Sequence, residues 1–128
     1  MSEPRWLSPG LILAIHEAQL REHGGPSGIR DTGALESALS RARNRWLYES
    51  ADWPDLASAY AFGLARNHAF VDGNKRTALI AMITFLGLNK IQFTATEQEA
   101  VVMIRDLAAG EIVEPELALW TAGNMRHV

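Results

Sequence analysis

The chain has no cysteine, which excludes disulfide staples and any thiolate-held metal centre. It has no excess of positive charge either. Twelve Lys and Arg stand against fifteen Asp and Glu, a formal net charge of −3 with the signs interspersed, so the broad basic field of a dedicated nucleic-acid binder is missing. No apolar run approaches the roughly 20 residues that span a bilayer. Internal repeats, low-complexity tracts and Pro/Gly-rich linkers are absent too. The polar, proline-containing start MSEPRW lacks the charged-then-apolar pattern of a secretory leader. These absences together predict a cytoplasmic protein that touches neither membrane nor DNA by itself. What remains is 128 residues of which 48% are apolar, enough to fill one core, and a single domain over residues 1–128 is expected.

The punctuation of the chain predicts an all-α bundle. Ser8 followed by Pro9 starts a helix, and Leu11, Ile15 and Ala18 share a face until Gly24 and Gly25 stop it. Asp31 or Thr32 caps a second helix with Leu35, Ala38, Leu39 and Ala42 on its buried stripe and Arg41, Arg43 and Arg45 towards its C-terminal end, as dipole partners. Asp52, with Pro54 just inside, opens a third helix that carries no charge from Leu56 to Ala65; Thr77 to Gly87 is equally uncharged. Helices apolar all round are buried, so these two form a central pair. Asn89 ends the fourth helix, Ile91 to Phe93 is briefly extended, Thr96 and Glu99 form a capping box before Val101, Ile104 and Leu107, and Pro115 starts a last helix with Leu117 and Trp120. His16, His23 and His127 are scattered, Arg30 and Asp31 belong to a helix start, and Trp46, Trp53 and Trp120 sit beside apolar faces. None of these stands out as a site.

The exception lies between the two core helices. There the segment HAFVDGNKRT, residues 68–77, packs ionisable groups where the chain is otherwise most apolar, a contrast that marks a functional site. A helix beginning near Asn74 leaves the N–H groups of Gly73 to Arg76 as free first-turn donors, suited to an anion and above all to phosphate. Gly73 allows close approach of the backbone, while Lys75 supplies a point charge and Arg76 a planar fork. Asp72 is a hard oxygen ligand beside those donors, placed for a Mg²⁺ shared with nucleotide phosphates. His68, at the end of the preceding helix, can accept a proton near neutral pH and serves as general base. Phe70 alternates with these polar positions and is expected to plug into the core.

The string HAFVDGNKR resembles the signature of the Fic/Doc superfamily: histidine, any residue, phenylalanine, any residue, acidic, small, asparagine, a variable position and arginine. The variable position, usually glycine in the nucleotidyl-transferring branch, is Lys75 here, as in the Doc-type branch. GGPSGIRDTGALESAL at residues 24–39 and FLGLNKIQF are similar to further Doc-like blocks in the same order, so the likeness covers roughly residues 8–120. The resemblance implies a Fic/Doc-type helical bundle with a buried central helix pair joined by the active-site loop. It implies that His68 activates an acceptor hydroxyl, Asp72 holds Mg²⁺, and Asn74, Lys75 and Arg76 bind the phosphates of ATP. It further implies transfer of the γ-phosphate to translation elongation factor Tu, and a cognate Phd-like antitoxin through which operator DNA is reached. No inhibitory helix with its serine/threonine-rich and glutamate motif is evident, so control by a separate partner is expected. AMP transfer of the Fic type, or antitoxin binding without catalysis, are the alternatives.

Overall fold

In the computed structural model, which describes residues 2–128, the caps anticipated from sequence start most of the helices. Ser8 Oγ accepts the Leu11 N–H ahead of α1 (Pro9–His23), and Asp31 Oδ1 accepts the Ala34 N–H ahead of α2 (Thr32–Glu49). Asp52 and Asp55 cap α3 (Trp53–Arg66) reciprocally; Thr96 and Glu99 do the same for α5 (Glu97–Ala109). Pro115 lies in the first turn of α6 (Glu114–Ala122). No N-cap side chain accepts a first-turn N–H in α4 (Asn74–Leu88), nor in α6, where the Glu116 carboxylate instead accepts the Val113 N–H at 3.1 Å. Ile91–Phe93 is extended as expected and forms β1; its antiparallel partner β2 (Met125–His127), pairing Ile91 with His127 and Phe93 with Met125, was not anticipated.

The uncharged helices α3 and α4 do form the buried pair. α3 packs against α2, α4, α5 and α6, and α4 against α1, α3 and α5. Close approach rests on small residues: a Cβ at Gly63 would sit 2.9 Å from Ala38 Cα, so the backbones of α2 and α3 touch there. Aromatic rings fill the opposite end, with Phe85 centred 5.1 Å from Tyr60, 6.0 Å from Trp6 and 6.1 Å from Trp53. Burial pushes the Tyr60 hydroxyl above the usual tyrosine pKa, partly offset by the Leu7 N–H that it accepts at 3.1 Å. No helix among the described residues is long and apolar enough to cross a membrane.

One expectation needs correction. Arg41, Arg43 and Arg45 do not cluster in the last turn of α2, because the helix continues to Glu49. Arg41 and Arg45 both donate to the buried carboxylate of Glu114, Arg45 Nη1 at 2.9 Å, and so fasten α2 to the start of α6. Arg43 lies 3.5 Å from Glu3. A buried carboxylate needs such partners, which accounts for these cations without any ligand.

Candidate active site

The chain leaves α3 at Arg66 and enters α4 at Asn74, and the seven residues between make a loop whose course is fixed from inside and outside. Inside, Phe70 is 1% exposed and its ring stacks on His16 of α1, centroids 3.7 Å apart. The plug predicted at Phe70 is therefore present. His16 Nε2 also bonds the Asp72 carbonyl at 2.8 Å, so an α1 residue that the sequence left as background anchors both ends of the loop's centre. Outside, the exposed segment after α1 lies against the loop: the Arg30 and Asp31 N–H groups donate to the Ala69 carbonyl at 2.7 and 3.1 Å, and the Val71 N–H to Gly28 O at 3.1 Å.

His68 lies beyond the end of α3 rather than on its last turn, and its φ is +50°, a left-handed conformation disfavoured for a residue with a Cβ. The Arg30 side chain holds it there, Nε donating to the His68 carbonyl at 2.7 Å and Nη2 to the Asn67 carbonyl at 3.4 Å. Arg30 thus supports the site directly, beyond its place at a helix start. The His68 imidazole is exposed and makes no hydrogen bond among the described residues, which leaves it able to meet an incoming hydroxyl.

The anion-binding features redistribute somewhat. The Gly73 N–H is not free, since Asp72 Oδ1 accepts it at 2.8 Å; Gly73, at φ +78°, instead turns the chain into α4. Asn74 spends its side-chain amide on Phe70, donating to the carbonyl and accepting from the N–H, both at 3.0 Å. What it offers a ligand is its main-chain N–H. With no cap, the N–H groups of Asn74, Lys75 and Arg76 keep the free first-turn positions of a helix. Neither Lys75 nor Arg76 meets a carboxylate among the described residues. Arg76 Nη2 reaches Gly24 O at 3.4 Å, and its Nε is buried without a hydrogen-bond partner among the described residues.

These residues line one side of a cleft of about 450 Å³, and Arg105, Ala108 and Ala109 of α5 form the other. That volume lies in the range of small-molecule sites. Arg105 was not singled out from sequence; its guanidinium is largely exposed, 3.3 Å from the neighbouring Asp106. Among the described residues no three His, Asp or Glu side chains gather into a metal cage, so Asp72 can contribute one carboxylate and no more.

Fold and cleft together define a mainly helical domain whose central helix hairpin carries Lys75 and Arg76 at the start of its second helix, beside the loop at the joint. The sequence matches the Fic/DOC family over residues 6–86, and the chain belongs to that family. It is 35% identical over 109 residues to the protein kinase doc of Escherichia phage P1, covering 84% of this chain and 86% of that protein. It is also 45% identical over 75 residues to the toxin Doc of Mycolicibacterium smegmatis, covering 56% of this chain and 57% of that one.

Proposed function

We propose that the chain is a toxin that transfers the γ-phosphate of ATP to a hydroxyl of a protein, with translation elongation factor Tu as the target and a Phd-like antitoxin as its inhibitor. The relatives named a protein kinase and a toxin support the class of activity. The observation that carries the phosphate chemistry is that Lys75 and Arg76, neither matched by a carboxylate among the described residues, stand at the uncapped start of α4. Anions are held at such a terminus by free N–H groups and by the helix dipole.

In this mechanism the main-chain N–H groups of Asn74, Lys75 and Arg76, with the two cationic side chains, hold the polyphosphate and take up charge as it develops. Asp72 would be the residue to hold a Mg²⁺, because a single hard carboxylate is what a Mg²⁺ shared with a nucleotide needs from protein. Bound there, the ion neutralises phosphate charge. His68 accepts the proton of the acceptor hydroxyl while that oxygen bonds to the γ-phosphorus and the bridging oxygen leaves with ADP. Atoms and charge balance without a covalent enzyme intermediate. Lys75 decides which phosphorus is presented. Where a glycine would leave room for the α- and β-phosphates over the helix start, a lysine fills that space and places a point charge suited to the most highly charged end of ATP.

The test is the mass added to the modified target. Phosphate is expected from the wild type, and Lys75→Gly is expected to lose that activity. An added AMP, or undiminished phosphorylation by Lys75→Gly, would refute the assignment of nucleotide orientation to Lys75.

A further inference from the structure

Asp72 is held at three points. Its carbonyl accepts a hydrogen bond from His16 Nε2 at 2.8 Å, its Oδ1 accepts the Gly73 N–H at 2.8 Å, and its Oδ2 abuts the backbone of Gly25. The third contact is the unusual one. A Cβ built on Gly25 would lie 2.3 Å from Asp72 Oδ2 and 3.3 Å from its Cγ, well inside van der Waals separation. Gly25 stands in the exposed segment after α1, forty-odd residues from the site in sequence, and its φ is +116°. Its role is therefore more than ending a helix.

We propose that Gly25 is a positioning residue for the site: the missing side chain at this position sets the rotamer of Asp72 and with it the place where the carboxylate presents its free oxygen to Mg²⁺. The inference rests on the metal role given to Asp72 above. Two features decide what happens when a Cβ intrudes. The main chain of Asp72 is tied to His16 and to the turn at Gly73, so it stays; the carboxylate is the far end of a side chain with free torsions, so it moves. Rotation away from position 25 breaks the Oδ1 bond to the Gly73 N–H and re-aims the ligand. The fold, by contrast, loses little, since the segment is exposed and its bonds to the loop run through Gly28, Arg30 and Asp31.

Gly28 provides the control. Its φ of +117° imposes the same backbone strain on an alanine, but a Cβ there meets only Val71 Cγ2 at 3.7 Å, an ordinary contact. Comparing Gly25→Ala with Gly28→Ala thus removes strain and leaves the contact with Asp72.

The experiment measures two things on the full chain: hydrogen exchange at the Gly73 amide without nucleotide, and the Mg²⁺ dependence of binding of β,γ-imido ATP. Gly25→Ala is expected to accelerate exchange at Gly73 and to raise the Mg²⁺ concentration for half-maximal binding by about 10- to 100-fold, the usual effect of disturbing a residue behind a metal ligand. Gly28→Ala, which strains a residue bonded to Val71 but leaves the Asp72 carboxylate untouched, should do both to a clearly smaller extent. In the double variant with Asp72→Asn, Gly25→Ala should add nothing further, since both act on one group. Equal effects of the two glycine variants, protected Gly73 exchange in Gly25→Ala, or global unfolding of Gly25→Ala alone would overturn the proposal. Coincident Mg²⁺ curves for wild type and Asp72→Asn would instead overturn the metal role of Asp72, and the Gly73 exchange would still decide whether Gly25 sets the carboxylate.

Discussion

Replacing Arg30 by alanine tests how His68, the proposed general base, is held. His68 sits at φ +50°, and a left-handed residue with a Cβ costs about 1–2 kcal/mol. Two side-chain bonds from Arg30, at 2.7 Å to the His68 carbonyl and 3.4 Å to that of Asn67, oppose its relaxation. The remaining ties survive the substitution, because Ala69 and Val71 are bonded to main-chain groups of residues 28, 30 and 31. Relaxation is thus confined to Asn67 and His68. Releasing about 1–2 kcal/mol shifts a two-state equilibrium by a factor of about 5–30, and the fraction of molecules with a correctly placed imidazole falls by that factor. Initial rates of labelled γ-phosphate transfer from ATP to a lysate acceptor should drop accordingly. Arg30→Lys, which can restore one bond, should recover part of the rate. A wild-type rate for Arg30→Ala would refute the reasoning. So would a loss as deep as that of His68→Ala, since Arg30 would then have to touch the reacting atoms.

His68→Ala itself should lower transfer by about 10² to 10⁴ with an unchanged circular dichroism spectrum; undiminished growth arrest by this variant would mean that the chain acts by binding alone. Gly63→Ala should destabilise the protein by about 1–2 kcal/mol in urea unfolding, because overpacking against the Ala38 backbone outweighs the gain in helix propensity. Gly87→Ala, in α4 with open space around it, should stabilise by up to about 1 kcal/mol, and a loss there would contradict the argument from contacts. Hydrogen bonds from Thr96, side chain first and backbone second, hold the Glu99 carboxyl below its ordinary value of 4.5. A lowered folded pKa means stability present above 4.5 and lost as pH falls through the lowered value. Exchange at the Glu99 amide should accelerate in that window, and Thr96→Val should abolish the pH dependence.

Local chemistry was legible in the sequence, and long-range chemistry was not. Ser8, Asp31, Asp52 and Thr96 announce helix starts because a capping oxygen and the N–H that donates to it lie within three residues. The uncharged stretches of α3 and α4 announce burial for the same reason, and an uncapped start following Asp-Gly announces free donors. His16 and Arg30 gave no such signal, since their partners are 56 and 38 residues away. The same distance hid Glu114 from Arg41 and Arg45, which read as dipole partners until α6 came alongside. β2 was missed because three residues, Met-Arg-His, carry no alternation to recognise. Gly73 and Asn74 were drawn as ligands when much of their bonding capacity goes into shaping the loop, a division of labour that only the hydrogen bonds reveal.

The order in which the cleft's parts occur along the chain has a consequence for synthesis. His16, Gly25 and Arg30 all precede the loop they hold, so every support of residues 68–76 has left the ribosome before α4 is complete. The opposite wall comes later: Arg105, Ala108 and Ala109 belong to α5, and the carboxylate that fastens α6 to α2 follows them. Both walls of the cleft are thus available only once α5 has been made, and α3 gains its α6 contacts later still. Truncation between α4 and α5 would remove both the second wall of the cleft and the helices that pack on α3 and α4, so the cleft and the core around it depend on the same late-made residues.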